Sequence, residues 1–274
     1  MTRTLQFDAE DSRRVQAVYL TPDVVDQRRE VQRLLAPVAG ERVLDIGSGP
    51  GLLAGELAAA VGPTGRVCGV DLSADMLALA RGRDLPAGCA PVEYLAAGAQ
   101  RLPYPDGTFD LAVSTQVLEY VPDVAAALAE AYRVLRAGGR LLVLDTDWDS
   151  VVWHSGDAGR MRRVLAAWDQ HLVDPYLPRT LTGRLRAAGF TVAAPRVLPL
   201  LNAGASAVAA GDAGPATYSA GLLDVVAAFV VGQDGLTAAE VAAWAADLRS
   251  LGPDYFFSLN RYLFGAVKPP TSTG

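Results

Sequence analysis

The sequence predicts an α/β fold in which a mostly parallel sheet is covered by helices on both faces. Between residues 41 and 145, short apolar runs alternate with longer helical patterns, which is typical of doubly wound parallel sheets. A turn with three glycines, Gly47, Gly49 and Gly51, joins the first apolar run to the first helical pattern. Beyond residue 150 the alternation ends and helical patterns dominate, which indicates a helical addition to the sheet.

Length and composition restrict the class of protein. The chain has 274 residues, a formal net charge of −6, 51% hydrophobic residues and 20% charged residues, which is typical of a folded globular protein. We expect a single domain over residues 1–274, with a helical segment at 1–40, a sheet half at 41–150 and a second half at 151–274. The second half contains a predicted helical insertion at about 202–252.

Charge and cysteine usage exclude several kinds of partner. An acidic chain without a basic run binds phosphates poorly, so no nucleic-acid partner is expected. Two cysteines, Cys68 and Cys89, are too few for a disulfide framework or a structural zinc site, and no metal is expected. The most apolar stretch, Leu222–Gly232, is too short to cross a bilayer, and the polar first residues lack a signal core. We therefore expect a cytoplasmic protein without a membrane partner, either a monomer or a homodimer.

The elements of the N-terminal half follow from helix-start residues, apolar runs and glycine stops. The first fifteen residues are expected to be loosely ordered, and a helix then begins at Pro22 with Thr21 as its N-cap. Each later helix ends near a glycine or begins at a capping residue. The predicted strands are 42–46, 65–71, 92–96, 109–114 and 140–144, and the helices between them are 52–61, 74–83 and 122–135.

The elements of the C-terminal half follow from the same signals. Helices are predicted over 157–172 and 180–188, a strand over 190–201, and a mobile loop over the Gly/Ala/Ser-rich residues 202–217. Two more helices are predicted at 222–231 and 237–251, and the second begins with a capping box formed by Thr237 and Glu240. Alternating residues at 255–267 predict a final strand, so 202–252 lies between the last two strands.

The turn after the first strand carries the strongest functional signal. Its glycines allow a close approach of backbone to ligand, and the following helix offers free N–H groups to an anion. The spacing is G-x-G-x-G with Leu52 at the sixth position, which departs from the G-x-G-x-x-G/A pattern of nicotinamide sites. Asp71, at the end of the second strand, can accept hydrogen bonds from ribose hydroxyls. Together these features predict a site for an adenosine-like ribose and a small anion. The alternative is a tight turn and a strand-end carboxylate without a ligand.

Six segments carry recognisable motifs: Val43–Gly51, Gly69–Leu77, Leu102–Asp110, Gln116–Asp123, Tyr132–Arg140 and Tyr262–Pro269. They resemble class I S-adenosylmethionine-dependent methyltransferases, in particular the branch with quinone C-methyltransferases and many natural-product methyltransferases. The resemblance implies a Rossmann-like sheet of seven strands with the last one antiparallel. The chain departs from the family pattern at Ala137, where proline is usual, and at 97–99, where an acidic residue often binds adenine.

The resemblance implies S-adenosylmethionine as the cofactor, with S-adenosylhomocysteine as the product. The backbone of the glycine turn would lie along the methionyl part of the cofactor, Asp45 would position its amino group, and Asp71 would hold the ribose hydroxyls. Apolar residues after the second strand would pack on adenine, backbone after the third strand would contact it, and a residue after the fourth strand would lie where cofactor and acceptor meet. The whole set is Asp45, Gly47, Gly49, Gly51, Asp71, Leu72, Met76, Gly98, Ala99 and Gln116.

Acceptor-binding residues are expected after the fifth strand, because ligands of open α/β sheets lie beyond the carboxyl ends of the strands. Acidic and aromatic residues at 145–154 can hold a cationic or aromatic substrate. Alternatively, the carboxylates cap a turn and the aromatic and histidine side chains are structural. An imidazole can act as a base near neutral pH, and a tyrosine before the first helix can close over the cofactor. The predicted catalytic residues are His154, Asp147 and Tyr19, and the predicted substrate residues are Trp148, Asp149, Trp153 and His171.

These features predict an enzyme that transfers a methyl group from S-adenosylmethionine to a small-molecule acceptor with an oxygen, nitrogen or carbon nucleophile, in secondary or quinone-type metabolism. Catalysis depends on holding two reactants in line, so a base is needed only where the nucleophile carries a proton. The small apolar insertion favours a largely apolar acceptor. Three alternatives stay open: an enzyme of this fold that binds the cofactor without methylating, a protein methyltransferase, and a non-catalytic binding module.

Overall fold

The computed structural model describes residues 9–208, 210–211 and 214–270. The chain divides into two compact units. The sheet unit comprises Arg28–Thr146, Tyr176–Val197 and the chain from Tyr262 onward, and the helical unit comprises the chain up to Gln27, Asp147–Pro175 and Leu198–Arg261. Each unit is described by itself, and the expected single domain with its segments stays a prediction.

Ten strands and nine helices lie in the described ranges. The strands are β1 Arg42–Ile46, β2 Arg66–Asp71, β3 Val92–Ala96, β4 Phe109–Thr115, β5 Leu135–Trp153, β6 Thr191–Val192, β7 Arg196–Ala203, β8 Ala210–Gly211, β9 Gly214–Pro215 and β10 Phe256–Val267. The helices are α1 Ala9–Tyr19, α2 Pro22–Leu35, α3 Leu52–Val61, α4 Ala74–Arg81, α5 Val124–Val134, α6 Ala158–Asp169, α7 Pro178–Ala187, α8 Tyr218–Val230 and α9 Ala238–Ser250. None of these described helices is both long and apolar enough to cross a membrane.

The main sheet has the strand order β3-β2-β1-β4-β5-β10-β6, and β7 also pairs with β10. The pairs among β1 to β5 are parallel, with Asp45 opposite Gly69 in β2 and opposite Val113 in β4. β10 runs antiparallel to β5, since Gly138 N–H donates to the Lys268 carbonyl and His154 N–H donates to the Phe256 carbonyl. The predicted doubly wound sheet with an antiparallel last strand is therefore confirmed.

The sheet has eight strands instead of the expected seven, because the strand predicted over 190–201 is broken. Residues 191–192 form β6 and residues 196–203 form β7, and both strands pair with β10. Pro195 lies in the gap and has no N–H to donate to a ladder, which accounts for the break.

The N-terminal segment is more ordered than the sequence predicts. Residues 9–19 form helix α1, where a loose segment was expected; residues 1–8, which belong to the same prediction, lie outside the described residues. Val15 and Val18 are buried, and a Cβ on Gly221 would come within 2.6 Å of a Val18 methyl. Burial against α8 thus stabilises a helix whose own sequence is mainly polar.

β5 is much longer than the predicted strand at 140–144. It continues to Trp153, where a turn or loop was expected, because its second half pairs with β10. Ser150 Oγ also accepts a hydrogen bond of 2.9 Å from the Asn260 N–H. The acidic and aromatic residues of this segment therefore alternate along a strand, and Asp157 instead caps the following helix α6.

The insertion at 202–252 contains the predicted helices in the helical unit. A short 3-10 turn at Ala205–Val208 and the β8–β9 ladder occupy described parts of the expected loop, whereas residues 209, 212 and 213 lie outside the described residues. Helix α8 begins at Tyr218, four residues earlier than predicted. Helix α9 begins with the predicted capping box, in which Thr237 and Glu240 exchange hydrogen bonds.

Candidate functional site

The turn after β1 is built around three glycines with left-handed backbone. Their φ angles are +72°, +51° and +74° for Gly47, Gly49 and Gly51. A Cβ on Gly47 would lie 2.2 Å from a Val117 methyl, and one on Gly51 would lie 2.4 Å from the Tyr94 hydroxyl, so packing requires glycine at both positions. A Cβ on Gly49 would meet no atom within 4 Å. Gly49 therefore leaves its backbone open to a ligand.

Asp71 connects the ends of β1 and β2. Its Oδ2 accepts a hydrogen bond of 2.9 Å from the Gly49 N–H, and its Oδ1 accepts one of 2.8 Å from the Ser73 N–H. The same turn is held by two N–H groups, of Gly47 and Ser48, that donate to the Val70 carbonyl. The half-buried carboxylate thus orders the glycine turn and keeps further lone pairs for hydroxyl donors.

Asp45 places a buried carboxyl under the turn. It lies in β1, and its Oδ2 has no hydrogen-bond partner among the residues that the structure describes. Burial, together with the nearby charge of Asp71, raises the pKa of Asp45 to about 7. A carboxyl in this state is stabilised by a cationic donor, which makes Asp45 suited to an ammonium group.

Apolar groups lie beyond the ends of β2 and β3. Leu72 is 80% exposed, although it directly follows a buried strand. A Cβ on Gly98 would lie 3.5 Å from a Leu72 methyl, so these two positions are neighbours. Met76 and Ala99 are buried. The exposed leucine beside a glycine offers an apolar surface of the kind that an aromatic ring covers.

Gln116 follows β4 in a strained conformation. Its φ is +56°, which costs a non-glycine residue about 1–2 kcal/mol. Its N–H donates to the Leu144 carbonyl at 2.6 Å, and its Nε2 donates to Thr146 Oγ1 at 3.3 Å. These bonds hold the residue against the middle of β5, and strain of this kind is characteristic of functional sites.

Two buried carboxyls beside Gln116 were missed from the sequence. Asp145 Oδ1 accepts from the Val117 N–H at 3.2 Å, and Glu119 Oε2 accepts from the Thr146 N–H at 3.3 Å. Burial and the proximity of Glu119 raise the pKa of Asp145 well above its usual value. The pair ties the segment after β4 to β5, and the only sequence signal was an acid within a strand of leucines and valines.

The predicted catalytic and substrate residues all belong to the helical unit, whereas the predicted cofactor residues all belong to the sheet unit. Trp148 and His171 are buried in an aromatic cluster: their rings lie 5.5 Å apart, and His171 stacks at 3.7 Å on Trp168. Burial lowers the pKa of His171 to about 3, so this imidazole is neutral. These contacts favour the structural alternative for both residues.

The remaining acceptor-side predictions lie in three different environments. Trp153 is buried and donates from Nε1 to the Tyr255 hydroxyl at 3.0 Å. Asp147 is buried, Asp149 is exposed, and Tyr19 is half-buried at the end of α1. His154 is exposed and lines an open pocket of about 540 Å³ that also contains Val152, Arg162 and Phe256. No measured contact assigns any of these residues to an acceptor, and their roles stay predictions.

Part of the sheet unit is similar to known proteins. Residues 44–143 match the family described as "Methyltransferase domain". An uncharacterized 37.1 kDa protein of transposon TN4556 from Streptomyces fradiae is 43% identical over 168 residues, which are 59% of this chain and 46% of that protein. The ubiquinone/menaquinone biosynthesis C-methyltransferase of Pseudomonas putida is 43% identical over 108 residues, which are 39% of this chain and 42% of that enzyme.

This chain contains a methyltransferase domain at residues 44–143. Its fold is similar to that of phosphoethanolamine N-methyltransferase 2 of Haemonchus contortus, solved with phosphomonomethylethanolamine and S-adenosylhomocysteine, with a TM-score of 0.59 and 20% identity. That match covers 96% of this chain and 58% of the solved chain, and it shows the fold. The chain spans less than half the length of the two curated relatives above, at 46% and 42%. The predicted resemblance to methyltransferases is therefore confirmed for residues 44–143.

Proposed function

We propose that the whole chain transfers a methyl group from S-adenosylmethionine to a small-molecule acceptor. The observation that carries the proposal is the pair of carboxyls at the ends of β1 and β2: Asp71 accepts from the Gly49 N–H, and Asp45 Oδ2 has no hydrogen-bond partner among the described residues. An adenosine with an amino-acid tail presents the matching groups: ribose hydroxyls for Asp71, an ammonium for Asp45 and a narrow chain for Gly49.

The bound cofactor supplies an electrophilic methyl group on a sulfonium, and the residues of this chain bind and orient. Asp71 accepts hydrogen bonds from the ribose, Asp45 accepts from the ammonium, and Leu72 and Met76 exclude water from the adenine. The strained Gln116 holds its side-chain amide against Thr146 in the middle of β5. Because displacement at a methyl group needs two reactants in line, positioning alone provides much of the rate enhancement.

The acceptor residues are a second part of the proposal. Relatives named as ubiquinone/menaquinone biosynthesis C-methyltransferases support carbon among the oxygen, nitrogen and carbon nucleophiles expected for the acceptor, in quinone-type or secondary metabolism. An acceptor that loses a proton needs a base, and we assign this role to Asp147, His154 or Tyr19. Trp148, Asp149, Trp153 and His171 stay candidates for acceptor contacts. The cytoplasmic location and the monomeric or homodimeric state also stay predictions.

Calorimetric titration with S-adenosylmethionine and S-adenosylhomocysteine tests the cofactor site, with NADH as the negative control. Asp71→Ala is expected to weaken both ligands about 10- to 100-fold, which corresponds to the loss of hydrogen bonds to a charged group worth about 1.5–3 kcal/mol. Asp84→Asn removes an exposed carboxylate of the same unit and serves as the matched control. Equal affinity in wild type and Asp71→Ala would contradict the assignment.

A screen for S-adenosylhomocysteine release tests the reaction itself. Purified protein with S-adenosylmethionine is incubated with hydroxylated aromatics, quinols, amines and a protein extract. Release that depends on a small molecule supports the proposal, and release with the extract alone identifies a protein methyltransferase. If the protein binds S-adenosylmethionine tightly and consumes a small molecule without converting the cofactor, it is a non-methylating enzyme of this fold.

A further inference from the structure

Arg261 of β10 is the most deeply buried arginine among the described residues of the helical unit. The residue is 1% exposed. Its Nη1 donates to Gln27 Oε1 of α2, and its guanidinium carbon lies 4.2 Å from the centre of the Tyr218 ring of α8. One end and one face of the planar group are therefore held by neutral partners.

The free edge of this guanidinium is the unusual feature. Nε and Nη2 of Arg261 have no hydrogen-bond partner among the described residues. These two nitrogens lie on the same edge of the guanidinium and carry two parallel N–H donors, in the arrangement that binds both oxygens of a carboxylate or phosphate. The acid on the neighbouring helix is already engaged, since Asp23 accepts from Asn202 Nδ2 at 3.0 Å and from the Tyr218 N–H at 2.7 Å.

A fully paired arginine in the same chain shows the contrast. Arg133 uses Nε, Nη1 and Nη2 in bonds to Glu130, Asp106 and backbone carbonyls. A buried guanidinium without an anion is unfavourable, because desolvation of the charge is not compensated. Folding alone does not account for an arginine at position 261, since an unbranched apolar side chain would fill the space without this cost.

We propose that the Nε–Nη2 edge of Arg261 binds a small oxyanion, a carboxylate or a phosphate. This site does not depend on the proposed methyl transfer. Gln27 and the Tyr218 ring orient the edge before the ligand arrives, so little rotamer freedom is lost on binding. The edge is shielded from bulk water, which strengthens a charge-assisted bond and favours small ligands.

Titration of the protein with simple anions tests the proposed oxyanion site at Arg261. Sodium acetate and sodium phosphate are added to about 100 mM against sodium chloride of equal ionic strength, with the melting temperature and the Arg261 Nε–H resonance as readouts. We expect a saturable shift of that resonance. At about ten times the dissociation constant, linkage predicts a rise in melting temperature of about 3–5 °C over chloride. The acetate and phosphate arms distinguish the two anion classes.

Arg261→Met and Arg261→Lys supply the variants, and Arg133→Met is the matched control. Arg261→Met is expected to melt at or above the wild-type temperature in chloride and to lose the anion effect, because the unpaired charge is removed. Arg261→Lys keeps the charge but loses the two parallel N–H donors. Its affinity for acetate and phosphate is therefore expected to be at least tenfold lower than that of the wild type. Arg133→Met is expected to melt lower and to keep the full anion effect.

One result would overturn the proposal. If neither anion shifts the resonance or the melting temperature relative to chloride, the guanidinium is structural, and a destabilised Arg261→Met would agree with that. If S-adenosylhomocysteine shifts the resonance and 5′-methylthioadenosine, which lacks the carboxylate, does not, the oxyanion that the edge binds is the carboxylate of that ligand. A chain that binds acetate or phosphate at Arg261 but never binds S-adenosylhomocysteine would refute the methyl transfer alone.

Discussion

Two glycines of the same turn are expected to respond differently to the same substitution. Gly47→Ala and Gly49→Ala both place a Cβ on left-handed backbone, with φ of +72° and +51°, and this costs about 1–2 kcal/mol in each variant. Only at Gly47 does the new methyl collide with the protein, 2.2 Å from one Val117 methyl and 2.8 Å from the other. The Cβ at Gly49 meets no atom within 4 Å.

The collision sets the size of the difference. Val117 cannot move freely, because its N–H donates to the buried carboxylate of Asp145 at 3.2 Å. Overpacking at such a position costs about 1–3 kcal/mol, which adds to the backbone strain. We therefore expect a loss of about 2–5 kcal/mol for Gly47→Ala and about 1–2 kcal/mol for Gly49→Ala. The difference in melting temperature is at least about 2 °C.

Ligand binding is expected to reverse this order. Urea unfolding without ligand gives the stabilities, and calorimetric titration with S-adenosylhomocysteine gives the affinities. Gly49→Ala fills the open space beside the turn, so we expect it to lower the affinity for S-adenosylhomocysteine. The loss of binding free energy is expected to exceed the loss in the free energy of unfolding. The double variant Gly47→Ala with Val117→Ala leaves a contact of 3.1 Å to the remaining Cβ and regains part of the lost stability. If Gly47→Ala is as stable as Gly49→Ala, the packing argument is wrong.

Two buried titratable groups give further predictions, both measured by chemical unfolding across pH. Asp45 has a pKa of about 7 against an ordinary 3.8, so its contribution to stability is complete below pH 3.8 and is lost as the pH rises through 7. Asp45→Asn is expected to be more stable than wild type at pH 8, and wild-type affinity for S-adenosylhomocysteine should rise about tenfold from pH 6 to pH 8 as Asp45 ionises. A flat affinity profile would refute the ammonium contact.

The pKa of His171 is shifted in the opposite direction: at about 3 it lies below the ordinary 6.5. The contribution of His171 to stability is therefore complete above pH 6.5 and falls as the pH drops towards 3. His171→Gln should flatten this dependence by up to about 1.4 kcal/mol per pH unit, with His154→Gln as the control for removing an exposed histidine.

The geometry of the glycine turn could be predicted because its signals are local in sequence. A strand, three glycines and a helix form one continuous segment, and the steric needs of a tight turn select glycine there. Asp71 stands at a fixed distance along the chain, and parallel pairing of β1 and β2 brings it to Gly49. The sequence also contained the capping box of α9, which depends on two residues three positions apart.

The surroundings of the residues predicted to contact the acceptor could not be predicted in the same way, because their burial and strand pairing depend on distant segments. Trp148 and His171 have side chains that suit a ligand, yet packing against Trp168 and Phe229 encloses them. The second half of β5 extends because β10, more than one hundred residues later, pairs with it. No local pattern in 145–153 contains that information.

The amino-acid sequence was sufficient to predict the α/β class, the mostly parallel sheet and the tight glycine turn, since periodicity and backbone sterics act over a few neighbouring residues. The tertiary structure alone decided that residues 9–19 are helical and that Asp145 and Glu119 are buried as a pair. It also decided that Arg261 keeps an unpartnered edge beside Gln27. The physical reason is that desolvation is set by everything packed around a group, and those neighbours come from all parts of the chain.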